Sequence, residues 1–141
     1  MIASARRWAH KILRDVHTKN KTLGAALEDA RKHLNDPRDR ALARAIAAGT
    51  LRQRGTIDYL LSQVSSRPIE TIDPVVLDLL RAAVFQCHFL DRVPTHAAVN
   101  DAVDLSRQVA EAGTDKFING VLRALIRSYR SIRLPAPPDA L

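Results

Sequence analysis

Few side chains in this 141-residue chain have a type and spacing suited to covalent chemistry. Cys87 is the only cysteine and lies in a run of apolar residues without a basic neighbour of fixed spacing, so it reads as a packing thiol and not a nucleophile. His88 beside it is a candidate base, but no serine or aspartate stands at a spacing that completes a triad. His10 and His17 are separated by seven positions, and His33 and His96 are isolated, so no metal-ligand pattern emerges. Asp101 and Asp104 lie one helical turn apart and read as a solvated face. The five glycines, at 24, 49, 55, 113 and 120, form no phosphate-cradling loop. The expectation is a chain with no catalytic, cofactor-binding or metal-binding residues.

The other chemistry open to this sequence is the gripping of polyanions. Lys and Arg number 22 against 15 Asp and Glu, for a net charge of +7. The surplus is uneven: residues 1–60 hold 13 basic and 6 acidic residues, whereas residues 61–141 hold 9 of each. A concentrated positive field attracts nucleic acid, the commonest intracellular polyanion, and speeds its encounter with the protein. The alternative is a solvated helix surface that only maintains solubility.

A 46% share of hydrophobic residues with 26% charged residues fits one folded domain and not a disordered tail. The single cysteine excludes a disulfide framework and points to a reducing cytoplasmic compartment. Charges interrupt every apolar run before it reaches membrane-spanning length, and no secretory signal is read at the start.

Apolar residues recur with helical period throughout, and no stretch alternates with period two. The first helix is expected over residues 3–16, with Trp8, Ala9, Ile12, Leu13 and Val16 as its buried stripe and Arg6, Arg7, His10, Lys11 and Arg14 elsewhere. A second carries Leu23, Leu27, Ala30 and Leu34. Asp36-Pro37 and Asp73-Pro74 each start a helix, the aspartate capping free N–H groups and the proline occupying a position that needs none. The third helix, whose alanines and Gly49 permit close approach, is expected to break at Arg54-Gly55-Thr56; a fourth buries Ile57, Leu60, Leu61 and Val64. The helix after Asp73 is the most apolar and therefore central; a sixth carries Ala98, Val99, Ala102 and Leu105, and a seventh Phe117, Val121, Leu122 and Leu125. The fold expected is all-α: one domain over residues 1–133, a bundle of about seven helices, with a proline-rich tail or linker at 134–141.

Two segments resemble the signatures of the NusB family: Arg92–Leu105 (RVPTHAAVNDAVDL) and Lys116–Leu122 (KFINGVL). The helix bearing Arg6 and Arg7 is similar to the family's arginine-rich first helix, and the resemblance extends to about residue 130. It implies a NusB-like, non-catalytic RNA-binding domain in which Arg6, Arg7, Lys11 and Arg14 hold phosphates. It also implies that Lys116 and Phe117 contact RNA, with Phe117 stacked on an unpaired base; a core position in the stripe Phe117–Val121–Leu125 is the other reading. Asn119 is expected to be a buried amide holding the start of the last helix, and Gly120 to allow close packing.

The family has two branches. One is the N-terminal domain of 16S rRNA cytosine-C5 methyltransferases of the RsmB type, which Asp36–Arg44, Gly49–Arg52 and Leu90–Asn100 resemble more closely. The other is the free-standing antitermination factor, which binds boxA RNA with a small-subunit ribosomal protein. The implied partners are ribosomal RNA or its leader, with either that ribosomal protein or a covalently linked methyltransferase domain. A module that binds mainly protein is a third reading.

Overall fold

The structure is a computed structural model, and residues 1–134 are described. They form seven α-helices and two short 3₁₀ turns, with no strand among the described residues. The helices are α1 (Ser4–Thr18), α2 (Leu23–Arg31), α3 (Pro37–Arg52), α4 (Arg54–Val64), α5 (Pro74–Phe89), α6 (Thr95–Val109) and α7 (Thr114–Ser128); the 3₁₀ turns are Ile69–Thr71 and Tyr129–Ser131. Of the expected proline-rich tail or linker at 134–141, residues 135–141 lie outside the described residues.

Both Asp-Pro starts behave as the chemistry requires. Asp36 accepts a hydrogen bond from the Arg38 N–H and Asp73 one from the Val75 N–H, each at 2.8 Å, with proline in the first turn. Thr22 caps α2 in the same way, accepting from the Ala25 N–H at 3.1 Å. Gly113, with φ of +92°, turns the chain into α7 through left-handed backbone that a side chain disfavours.

The break between α3 and α4 falls at Gln53 and not at Arg54-Gly55-Thr56, which form the first turn of α4. The Gln53 N–H still donates to the Gly49 carbonyl and its own carbonyl accepts from Ile57. Gln53 therefore keeps both of its own helical bonds where the helix is interrupted, and Gly55 is tolerated at an exposed first turn.

α5 is central: α1, α3, α4, α6 and α7 all pack on it, and every residue from Val76 to Gln86 is buried. Its main cluster joins Leu79, Leu80, Val84 and Phe85 to Ile57, Leu60 and Leu61 of α4, Val99 and Leu105 of α6, and Ile118, Leu122 and Leu125 of α7. A separate cluster of Ala5, Ile12, Ala26, Ala30, Leu34, Ala43 and Ala47 holds α1, α2 and α3 together. A small seam of Ala9, Leu13, Ile46 and Ala82 joins the two. The close approach is at Gly49, where an added Cβ would stand 1.9 Å from Cζ of Phe85. Gly120 is not a packing glycine: it is exposed, with nothing within 4 Å of where its Cβ would be.

Candidate nucleic-acid interface

The charged side of α1 is largely turned inward. Arg6, 12% exposed along its side chain, donates to Gln86 Oε1 at 2.7 Å and to Asp101 at 3.0 Å. Asp101 also accepts from the Ala3 N–H at 3.1 Å. Its expected solvated face is therefore wrong: Asp101 is buried on α6 because it receives α1, whereas Asp104 pairs at the surface with Arg107.

Arg14 reaches Asp78 at 2.9 Å, and His17 Nδ1 reaches the same carboxylate at 2.9 Å. Asp78, 1% exposed, also accepts from Arg81 at 3.3 Å, and Arg81 forms a two-pronged bond to Asp58 at 2.8 and 3.0 Å. This chain of charges ties α1, α4 and α5 together. His10 is buried beside it, with Nε2 3.1 Å from the Val75 carbonyl. Burial lowers its pKa below 6.5, outweighing that bond and the nearby Asp78 charge.

Arg7 and Lys11 are the cations of this helix that face solvent. Arg7 donates to Gln108 at 2.7 Å, and Lys11 lies 3.2 Å from Asp15 of the next turn. The structure thus separates the four α1 residues singled out from the sequence: Arg6 and Arg14 are drawn inward onto Asp101 and Asp78, whereas Arg7 and Lys11 are exposed, Lys11 pairing with the buried Asp15.

A second basic face occupies α7. Lys116, Arg123 and Arg127 fall on one side of α7 at helical spacing and Arg130 follows in the 3₁₀ turn; all four are exposed and none is within ion-pair distance of a carboxylate among the described residues. Asn119 and Gly120 complete this strip; Asn119 is exposed, not a buried amide, and its Oδ1 lies 3.4 Å from Arg123 Nε. Phe117 turns the other way, half-buried against the main core, with the Arg67 guanidinium 3.9 Å above its ring. A base stacking there would compete with Arg67 for the same π face.

Sequence reasoning missed Arg123, Arg127 and Arg130 because residues 61–141 sum to zero charge. The signal was the helical period: Lys116, Arg123 and Arg127 are spaced seven and four residues apart, and Arg130 follows three residues on.

Cys87 and His88 carry no reactive arrangement. Burial pushes the Cys87 thiol up to about 11, and His88 is stacked on Tyr129 with ring centroids 4.0 Å apart. Among the described residues no group of three or more His, Cys, Asp or Glu could hold a metal ion, and no helix is long and apolar enough to cross a membrane.

Fold and surface together define an all-helical domain with an exposed cationic ridge. The profile of the NusB family matches residues 3–127, and the chain belongs to that family. It is 35% identical over 126 residues, 89% of its length, to a probable ribosomal RNA small subunit methyltransferase B of Synechocystis sp.. It is 37% identical, in an alignment of 141 positions that covers 96% of its length, to a putative methyltransferase of Mycobacterium tuberculosis. The chain spans only 28% and 30% of those two proteins. The transcription antitermination protein NusB of Heliobacterium modesticaldum is 34% identical over 94 residues, covering 66% of this chain and 46% of that protein. In structure, the chain matches one in the crystal structure of antitermination factors NusB and NusE in complex with dsRNA. The TM-score is 0.81 at 23% identity, over 89% of this chain and 96% of that one. The NusB solution structure from Aquifex aeolicus matches with TM-score 0.73 at 22% identity, over 95% and 93% of the two chains. These likenesses show a NusB fold.

Proposed function

We propose that this chain is a non-catalytic RNA-binding domain that engages ribosomal RNA, serving as the N-terminal domain of a 16S rRNA cytosine-C5 methyltransferase. The observation that carries RNA binding is the α7 ridge: four exposed cations along α7 and the 3₁₀ turn after it, without a carboxylate partner among the described residues. Such a row leaves its charge free for phosphates, whereas a merely solubilising surface is usually laced with pairs of both signs. The ribosomal RNA methyltransferase reading is supported by relatives that take up nearly all of this chain within less than a third of their own length. In this reading Arg7, Lys11, Lys116, Arg123, Arg127 and Arg130 hold phosphates, and an unpaired base takes the face of Phe117 that Arg67 covers. Arg6 and Arg14 position α1 through Asp101 and Asp78.

A second reading is a free-standing antitermination factor acting on a boxA leader with a small-subunit ribosomal protein. The observation favouring it is the near-complete overlap, 96%, with the chain in the NusB–NusE–dsRNA structure.

The test is titration of 16S rRNA fragments at several salt concentrations. Replacing Arg123, Arg127 and Arg130 together by alanine should flatten the log–log salt slope by about 2, since each phosphate of a single strand that is no longer neutralised lowers it by about 0.7. Unchanged affinity and slope in that variant would sink the assignment of the ridge.

A further inference from the structure

α2 leaves a cleft between itself and α3 that neither the ridge nor the α1 charges use. It measures about 450 Å³, within the range of ligand-sized pockets. It is lined by Ile12, Leu23, Leu27, Ala30, Leu34 and Ala43, and Ala41 and Arg44 stand on its α3 side. The cleft accompanies small residues: α2 buries only Ala26 and Ala30, while Leu23 and Leu27 pack on the edge of the alanine-rich cluster and stay partly exposed.

Its rim is basic. Arg31, Arg40 and Arg44 stand there against a single carboxylate, Glu28, which Arg31 engages at 3.5 Å. Arg40 is held in place by the carbonyls of Leu34 and Arg31, and Arg44 has no carboxylate partner among the described residues. Apart from Glu28, the three arginines and Gly24 the lining is aliphatic, and it contains no aromatic ring, so it has no aromatic platform on which a base could stack.

We infer that the α2–α3 cleft is a docking site for an acidic amphipathic segment of a protein partner, whose large aliphatic side chains enter the cleft while its carboxylates meet Arg31, Arg40 and Arg44. An aliphatic groove with a rim of one charge sign is how a helix-in-groove contact combines burial with orientation.

The test uses a short fluorescein-labelled peptide of Glu, Leu and Ala with leucines at helical spacing, titrated by anisotropy. A peptide with the same composition scrambled and one with Lys in place of Glu serve as controls. The expected result is saturable micromolar binding of the acidic amphipathic peptide alone, with chemical-shift changes confined to α1, α2 and α3. Ala41→Trp, which fills the cleft, and Arg44→Glu, which reverses its rim, should each weaken binding about tenfold, with unchanged circular dichroism and rRNA-fragment affinity. Absence of saturable binding, equal binding of the Lys peptide, or unchanged affinity in both variants would overturn the inference. Loss of rRNA affinity in A41W would overturn it as well, by assigning the cleft to RNA, and loss of RNA binding confined to the ridge variant would leave it standing.

Discussion

The ring of Phe85 on α5 lies against the bare backbone of Gly49 on α3, so near that a Cβ on Gly49 would fall 1.9 Å from Cζ and 2.4 Å from Cε1. The contact joins the first three helices to the central one, and its closeness comes from the missing side chain. Phe85 is itself 3% exposed and stacked on Phe89 at 5.5 Å, so it has little room to retreat.

Gly49→Ala is therefore expected to destabilise the domain, although alanine favours helix. The gain in propensity is under about 1 kcal/mol, while overpacking costs about 1–3 kcal/mol. Urea denaturation should show a lower midpoint, and Phe85→Leu in the same chain should recover part of the loss. A midpoint at or above the parent's would show that α3 can shift away from α5.

Asp78→Asn should be the most damaging of the conservative charge changes. It removes the anion that Arg14, His17 and Arg81 share at 2.9, 2.9 and 3.3 Å, in a site where Asp78 is 1% exposed. Loss of one member of a buried pair costs about 3 kcal/mol or more. Thermal unfolding would register this as a clear fall in Tm, whereas Asp104→Asn, at a surface pair, should change little.

Stability should fall as pH drops below about 6.5, the ordinary histidine value. His10 has a folded-state pKa below 6.5, so in that window the unfolded chain binds a proton that the folded one does not. The stabilising contribution of the neutral imidazole is fully present above 6.5 and is lost as pH falls toward the folded value. His88 acts in the same direction, also through burial. Denaturant melts across this range should show a smaller loss for His10→Gln than for the parent; parallel curves would refute the assignment.

Alanine at Arg6 and alanine at Arg7 should produce opposite signatures. Arg6→Ala leaves Asp101 with only the Ala3 N–H, so it should lower Tm. Arg7→Ala removes an exposed cation bonded to Gln108, so it should spare Tm and weaken binding of RNA fragments in a salt-dependent way. Melting curves and salt titrations on both variants separate the two roles; equal Tm values would remove the distinction.

Local rules carried much of this architecture. Asp36-Pro37 and Asp73-Pro74 cap their helices through atoms two residues apart, and the stripes of α1, α5 and α7 follow from helical period alone. Pairing across the fold was not legible in the same way. Arg6 meets Asp101 across 95 positions and Arg14 meets Asp78 across 64, so a charge on α1 looks the same in sequence whether it faces RNA or a buried carboxylate. Segment-wide charge also does not show which cations are free of a carboxylate. It favoured residues 1–60, where Lys11, Lys19, Lys21, Arg31, Lys32 and Arg54 are paired as well as Arg6 and Arg14, and it hid the ridge at Lys116, Arg123, Arg127 and Arg130.

The two clusters are unequal in composition, and that inequality sets the order in which the molecule opens. Five of the seven buried residues holding α1, α2 and α3 together are alanines, whereas the cluster around α5 is mostly leucine, isoleucine and valine. Each alanine withdraws far less apolar surface from water than a leucine does. Amide protons of α2 should therefore exchange with solvent well ahead of those of α5, as a separate cooperative unit bounded by the seam at Leu13 and Ile46. A partner that settles on α2 and α3 would slow that exchange first, so amide protection would report its arrival independently of affinity.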